Sequence, residues 1–442
     1  LKELAGWFPV VSLTGPRQSG KSTLVKSAFS EFAYINLEQP GYREAAVTDP
    51  VGFLKAQPDH LIIDEAQYAP ELFSMIQVLS DVRGSVGQYV LTGSQNFLLT
   101  KAIQQSLAGR VGRLTLMPFS YPEILSVCDG MDSFMLAGGY PRMYDADMPR
   151  DVFMRSYLDT YVERDVGELL DVRNLAEFRR MLGILAHSVS GIVNYTSIAS
   201  DTGVDVRTVR SWMSLLQASY IIFLLPPYYA NGRKRLTKSP KLYFYDTGLL
   251  CSLLQIEDMR TFALHPKRGE VFENLVITER VKHHLNAGEE PVLYFYRDDS
   301  KREVDLLDYT CLAEPQAVEI KAGETYRHQF ARHLTAVSDE LGIAEERRCV
   351  VYRGEMSYRT DGVQVVPARD FLLQRWGAVL ECGLSIGRRL YFRANRAITA
   401  LQEIAKDALY ISPVEPEALR GHPTAIGELV CVFVRISNLG SI

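Results

Sequence analysis

Residues Gly15-Pro16-Arg17-Gln18-Ser19-Gly20-Lys21-Ser22, followed by Thr23, carry glycine, lysine and hydroxyl at the spacing GxxxxGK[ST]. An apolar run, Val10 to Leu13, precedes them, and a helical pattern, Ser22 to Phe29, follows. A strand-to-helix loop of this kind wraps its backbone N–H groups around the phosphates of a nucleotide, where bulkier residues in place of the glycines would obstruct it. Lys21 is expected to add a point charge and Ser22 a hydroxyl for Mg²⁺. The alternative, a chance glycine-rich turn, needs the flanking strand and helix to be coincidence.

A second apolar run, Leu61-Ile62-Ile63, ends in the carboxylates Asp64 and Glu65. At the end of a buried strand beside the phosphate loop, Asp64 is expected to hold Mg²⁺ through water and Glu65 to take a proton from the attacking water. A third run, Tyr89 to Thr92, leads into Gly93-Ser94-Gln95-Asn96, from which Gln95 is expected to orient the γ-phosphate or the lytic water. A polar strand-to-helix turn is the plainer reading of the same residues. Phosphoryl transfer also gains from an arginine supplied in cis or in trans. Arg110 is the favoured candidate, with Arg113, Arg142 and Arg164 as others.

Two further constellations could carry chemistry. Tyr195 to Leu216 reads as helix, Gly203 turn, helix, with Asp205 capping the second helix. Val206, Val209, Met213 and Leu216 form one stripe, and Arg207 and Arg210 share the opposite face. Together with the basic run Arg233-Lys234-Arg235, and Lys238 and Lys241 after it, these arginines could contact DNA phosphates. A packing lid with solvated arginines fits the pattern too. Farther on, Glu303-Val304-Asp305 and Val318-Glu319-Ile320-Lys321 read as two strands, in which period two projects Glu319 and Lys321 from one face. With Glu273 from a helical run, Asp305, Glu319 and Lys321 could form a metal-binding carboxylate site with a lysine that positions water. This D…ExK arrangement is that of restriction-endonuclease-like folds, although a Glu and a Lys on a hairpin face are commonplace.

The elements that position these groups divide the chain into four parts. Residues 1–120 alternate strands and helices, which predicts a mostly parallel α/β sheet. Residues 121–242 are mainly helical, with Phe153, Tyr157 and Leu158, then Phe178, Leu182, Leu185 and Ala186, recurring at spacings of three and four. Residues 243–370 predict a second α/β domain built from LYFY, VLYFY, VDLL, AVEI, CVVY and VQVV, and residues 371–442 carry no assignable role. The 48 basic and 53 acidic residues leave a formal charge of −5, so any nucleic-acid contact must come from a local basic surface. The longest apolar run stops at Pro226-Pro227, too short to span a bilayer, and no export signal opens the chain. Six scattered cysteines without a CxxC pair predict neither a disulfide framework nor a zinc site and fit a reducing cytoplasm.

In this order, GPRQSGKST, LIIDEAQ, TGSQ, LAGRVGRL, LMPFSYPE, GGYP, YLDTYVERDV, KSPKLYFYDTGLL, FEN, EVDLL and EIKAG resemble the bacterial and archaeal AAA-type ATP-binding proteins. The resemblance covers about Leu1 to Val366. It implies a P-loop ATPase core followed by a winged helix and a restriction-endonuclease-like domain. It also implies ATP and Mg²⁺ at Gly15 to Thr23 with Asp64 and Glu65, and nuclease-like residues at Glu273, Asp305, Glu319 and Lys321. ATP in preference to GTP rests on the resemblance alone. The expected activity is ATP hydrolysis coupled to the other domains, with DNA and a homo-oligomer as the partners to test. A nucleotide-gated DNA-binding or signalling module with negligible turnover, and a metal-dependent nuclease, stand as alternatives. Two departures from the family pattern are the start at Leu1, without the usual methionine and leader, which suggests truncation, and the segment beyond about Phe371, which matches no pattern.

Overall fold

Five apolar runs in the first part become the strands β1 (Val10–Thr14), β2 (Ala33–Asn36), β3 (Leu61–Asp64), β4 (Tyr89–Gly93) and β5 (Val111–Thr115). They form one sheet in the order β2-β3-β4-β1-β5, parallel at every pairing, in a computed structural model that describes residues 1–94, 106–145, 148–161, 175–229 and 239–375. Gln95, Arg164, Arg233, Lys234, Arg235 and Lys238, and residues 376–442, lie outside the described residues.

Both faces of β1, β3 and β4 are buried, which is why their sequences are continuously apolar and do not alternate. Ile63 and Leu91 point to one side, into a cluster with Phe53, Leu72, Phe73 and Ile76. Leu13, Ile62 and Val90 point to the other, against Val25 and Phe29. The carboxyl ends of β1, β3 and β4 share one edge of the sheet, the edge at which open parallel sheets take ligands.

The middle part is helical, as its spacing predicts, with helices Arg150–Tyr161, Leu175–His187, Tyr195–Thr202 and Val206–Ala218. The turn between the last two follows the sequence closely. Asn194 caps the first helix, Gly203 ends it at φ 85°, and the Asp205 carboxylate accepts the Thr208 N–H at 2.9 Å. Val209, Trp212, Met213 and Leu216 are buried, while Arg207 and Arg210 are exposed. A two-stranded antiparallel ribbon follows, β6 (Ile222–Leu225) with β7 (Lys241–Phe244), and a single bridge joins Ile192 to Lys241. The LYFY run therefore pairs here and is not a strand of the next sheet, contrary to its expected place in the second α/β domain.

That next sheet has six strands in the order β12-β13-β11-β10-β9-β8. They are β8 (Leu293–Arg297), β9 (Glu303–Asp308), β10 (Gln316–Lys321), β11 (Arg348–Tyr352), β12 (Tyr358–Thr360) and β13 (Val363–Pro367). β8, β9 and β10 run antiparallel, then β11 and β13 continue parallel to β10. Helix Ala331–Leu341 covers one face through Leu334 and Val337. Helix Arg268–Asn286 is buried on nearly every side, because it packs between this sheet and the helical region. Its buried Lys282 donates to Glu279 and to the Phe119 carbonyl, both at 2.9 Å, and Glu279 accepts the Tyr121 N–H at 2.7 Å. The segment leaving β5 is thereby fixed to the long helix by charge-assisted hydrogen bonds.

Candidate functional site

Gly15 leaves β1 at φ 148°, and a Cβ there would stand 2.0 Å from the Leu116 carbonyl oxygen, so the loop can turn only with glycine. Gly20 caps the following helix, Lys21–Ala28, in the left-handed region. Lys21 is buried and donates to the carbonyls of Gly15 at 3.0 Å and Pro16 at 2.7 Å, folding back over the loop it belongs to. Ser19 is buried, and its hydroxyl has no partner among the described residues. A loop with a buried ammonium and an unsatisfied hydroxyl inside a helix N-terminus fits the phosphates of a nucleotide.

Asp64 ends β3 beside this loop and is buried. Its carboxylate accepts the Thr92 hydroxyl, the Glu65 N–H at 3.1 Å and the Tyr34 hydroxyl at 2.5 Å. Glu65 sits in the left-handed region at φ 55°, a conformation that costs a non-glycine residue about 1 kcal/mol or more. Gln67 and Ser94 hold its carboxylate, the latter at 3.2 Å. Sequence reasoning missed Tyr34. Its ring lies under the Lys26 ammonium at 3.7 Å, and burial, then the Asp64 carboxylate, push its phenol well above the ordinary range. The phenol therefore stays protonated and donates to Asp64 throughout the physiological range. If Asp64 holds Mg²⁺ as its place at the end of β3 predicts, Tyr34→Phe is expected to raise the Mg²⁺ concentration for half-maximal nucleotide turnover about ten-fold, the effect of losing a group that orients a ligand. A Mg²⁺ titration at saturating nucleotide checks it.

Arg110 does not lie at the phosphate loop of its own chain. It precedes β5 at the end of the sheet opposite the loop, and its guanidinium grips Asp81 at 2.6 and 2.9 Å. The five residues of β5 separate the two ends by about 16 Å, too far for a cis arginine finger. Arg142 stands closer. It follows Pro141, whose ring is 3.8 Å from where a Cβ on Gly20 would be. The turn carrying Pro141 is held from below by Asp246, which is buried and accepts the Gly139 N–H at 2.6 Å and the Leu249 N–H at 2.8 Å. Thr14, at the end of β1, also hydrogen-bonds the Tyr220 hydroxyl at 2.9 Å, so the helical region touches the nucleotide loop twice.

The second constellation converges. Glu273 on the long helix, Asp305 on β9, and Glu319 and Lys321 on β10 share one buried cluster. In it Lys321 Nζ lies 3.7 Å from Asp305 and 2.5 Å from Glu319. Two members were not anticipated there. Glu303 joins from β9, and Lys241, expected on a basic wing, is instead buried with Nζ 2.5 Å from Glu303, 3.5 Å from Glu273 and 3.9 Å from Asp305. Tyr243 donates to Glu273 at 2.7 Å. Burial, then neighbouring Asp305, push Glu319 up to about 8 and Glu273 up to about 7. Burial lowers the two ammoniums, but the surrounding carboxylates outweigh it and hold both above their ordinary value. The only sequence signal for Lys241 was an apolar β7 beginning with a lysine.

Comparison with known proteins places the chain. The uncharacterized protein Rv2008c of Mycobacterium tuberculosis is 32% identical over 370 residues, covering 82% of this chain and 81% of that protein. The chain belongs to the same family as Rv2008c. Another relative is protein MJ1544 of Methanocaldococcus jannaschii, 24% identical over 329 residues, covering 66% of this chain and 70% of that protein. In this Rv2008c-family chain a family model described as an AAA domain matches residues 8–125, which contain the phosphate loop, Asp64 and Glu65. The chain thus carries an AAA-type P-loop nucleotide-binding domain. Two domains of unknown function, DUF8612 and DUF4143, match residues 128–260 and 268–371. The carboxylate cluster of the Rv2008c-family chain is therefore assembled across two matched regions, with Lys241 in one and its acidic partners in the other. Among solved structures, a Walker-type ATPase of Pyrococcus abyssi aligns with TM-score 0.34 and 17% identity over 57% of this chain and 93% of that one. The Thermotoga maritima RuvB Holliday junction branch migration motor aligns with TM-score 0.25 and 18% identity, over 49% and 82%. Among the described residues no helix is long and apolar enough to cross a membrane.

Proposed function

We propose that the chain is a Mg²⁺-dependent ATPase whose nucleotide state is coupled to a winged-helix region and a nuclease-like domain, with DNA as the partner. The observation that carries this reading is the segment 241–248. Its Asp246 supports the Gly139-Tyr140-Pro141 turn that stands against Gly20 of the phosphate loop, and its Lys241 lies in the carboxylate cluster. Movement of the turn on nucleotide binding has a short, stiff route to the cluster.

In this reading Lys21, the loop amides from Gly15 to Thr23 and Ser19 bind the phosphates of ATP, and Ser22 and Asp64 hold the Mg²⁺, which neutralises charge on the transferring phosphate. Glu65 takes the proton of the attacking water. Its backbone strain and its hold on Ser94, next to Gln95, support a part that changes partner when the γ-phosphate arrives. Arg142, which follows Pro141 against Gly20, is the candidate finger in cis, and a homo-oligomer is the form in which Arg110 would reach a neighbouring site. The exposed Arg207 and Arg210, with Arg233, Lys234 and Arg235, supply the phosphate contacts to DNA. The order of helix, three antiparallel strands, helix and parallel strand from Arg268 to Tyr352, with Asp305, Glu319 and Lys321 on adjacent strands, supports the nuclease-like reading.

ATP turnover by the purified chain, alone and with single- and double-stranded DNA, tests the proposal. Turnover is expected to rise with DNA, to be lost in Lys21→Ala, and to lose its DNA response in Arg207→Ala/Arg210→Ala with the basal rate kept. ATP binding without turnover under every condition would overturn the ATPase reading in favour of a nucleotide-gated module.

A further inference from the structure

We propose that Lys241 is a tethered cation seated in a divalent-metal site, and that Asp305, Glu319 and Glu273 take up a divalent cation when its ammonium withdraws. The inference rests on reading the cluster as nuclease-like, but it concerns occupancy and not cleavage.

Glu273, Glu303 and Asp305 surround Lys241 Nζ at 2.5 to 3.9 Å, so the ammonium stands against two of the three proposed ligands, and Lys321 joins the third, Glu319, to Asp305. A divalent cation draws such oxygens to about 2.0–2.6 Å. Among the described residues no group of three acidic, histidine or cysteine side chains is close enough to hold a metal, and the proposal assigns that spacing to the inserted ammonium. Glu319 is 8% exposed and its Oε2 has no hydrogen-bond partner among the described residues, although Oε1 is bound by Lys321. A buried carboxylate oxygen left unsatisfied in such a cluster is the mark of a missing ligand.

Charge favours the exchange. Glu273, Glu303, Asp305 and Glu319 face two ammoniums, Lys241 and Lys321, so when all are ionised the cluster is short of two positive charges. Replacing one ammonium by a divalent ion supplies one of them, and its attraction to the carboxylates is stronger in a buried site than in water. β7 pairs with β6 and bridges Ile192 but is not part of the sheet that carries Asp305 and Glu319. Lys241 can therefore leave without breaking a ladder of that sheet.

Mn²⁺ binding to the nucleotide-free full chain, measured by calorimetry and by the loss of the free-ion electron paramagnetic resonance signal, tests the exchange. Lys241→Met is expected to bind one Mn²⁺ per chain at least ten-fold more tightly than the wild type. The gain should be absent in Lys241→Arg, which keeps the charge, and abolished in Lys241→Met/Asp305→Asn. At the same concentration Mn²⁺ should raise the Tm of Lys241→Met more than that of the wild type. If Lys241→Met does not fold, Lys241→Met/Glu303→Gln, which removes one charge of each sign, carries the same comparison. Equal Mn²⁺ affinity with and without Lys241 overturns the proposal. Tight Mn²⁺ binding with DNA left intact supports it and removes cleavage from the nuclease-like reading.

Discussion

Glu65→Gln is expected to lower ATP turnover by a factor of about 10² to 10⁴, the range for a lost general base, while ATP affinity stays within about three-fold. The amide keeps the shape and can still bond Ser94 and Gln67, but it cannot accept a proton from water. The loop that would bind the phosphates, Gly15 to Ser22 with Lys21, does not involve Glu65, which is why binding and turnover should separate. Single-turnover hydrolysis, set beside equilibrium binding of a fluorescent ATP analogue, makes the comparison. Loss of affinity in parallel with turnover would assign Glu65 to holding the loop in shape and leave the base unidentified. Glutamine meets about the same cost at φ 55°, so the substitution is not expected to disturb the turn itself.

Asp246→Ala is expected to destabilise the protein by about 3 kcal/mol and to weaken nucleotide binding, although Asp246 touches no part of the phosphate loop. Its carboxylate is the acceptor for two buried N–H groups, Gly139 and the helix-capping Leu249, and each orphaned donor costs about 1–3 kcal/mol. Gly138 has φ 79° and a Cβ there would approach the Asp246 carboxylate to 2.2 Å, so the turn is built around this side chain in close contact. Burial raises the Asp246 carboxyl, opposed by Lys282 and the N–H donors, so its stabilising role depends on those donors remaining in place. Urea unfolding gives the stability loss. The functional half is read from ATP affinity at a temperature where the variant is folded, and wild-type affinity there would disconnect the Gly139-Tyr140-Pro141 turn from the nucleotide.

The nucleotide domain was largely legible in the chain, because its signals are local. A loop of fixed spacing between a strand and a helix, and a buried strand ending in Asp64-Glu65, are dictated by backbone geometry over a few residues. The five apolar runs of a parallel sheet buried on both faces are equally local. The helix–turn–helix was legible for the same reason, through Gly203 and the Asp205 cap. The strand pairing that brings Asp305 beside Glu319 and Lys321 could be anticipated, since period two fixes which side chains share a face.

Contacts between groups far apart in the chain were not legible. Tyr34 reaching Asp64, Asp246 supporting Gly139, and Lys241 entering the cluster of Glu273, Glu303 and Asp305 leave no periodic trace, because one residue at each end suffices and its partner's distance along the chain is arbitrary. Arg110 shows the converse: its motif is local, but whether it faces the phosphate loop depends on which end of β5 it occupies and on Asp81 from the helix Glu71–Arg83. Sequence thus determined which chemistry the chain carries, through short-range geometry. Tertiary structure decided which charges meet, because the cost of burying a charge is settled only by the partner that packing brings to it.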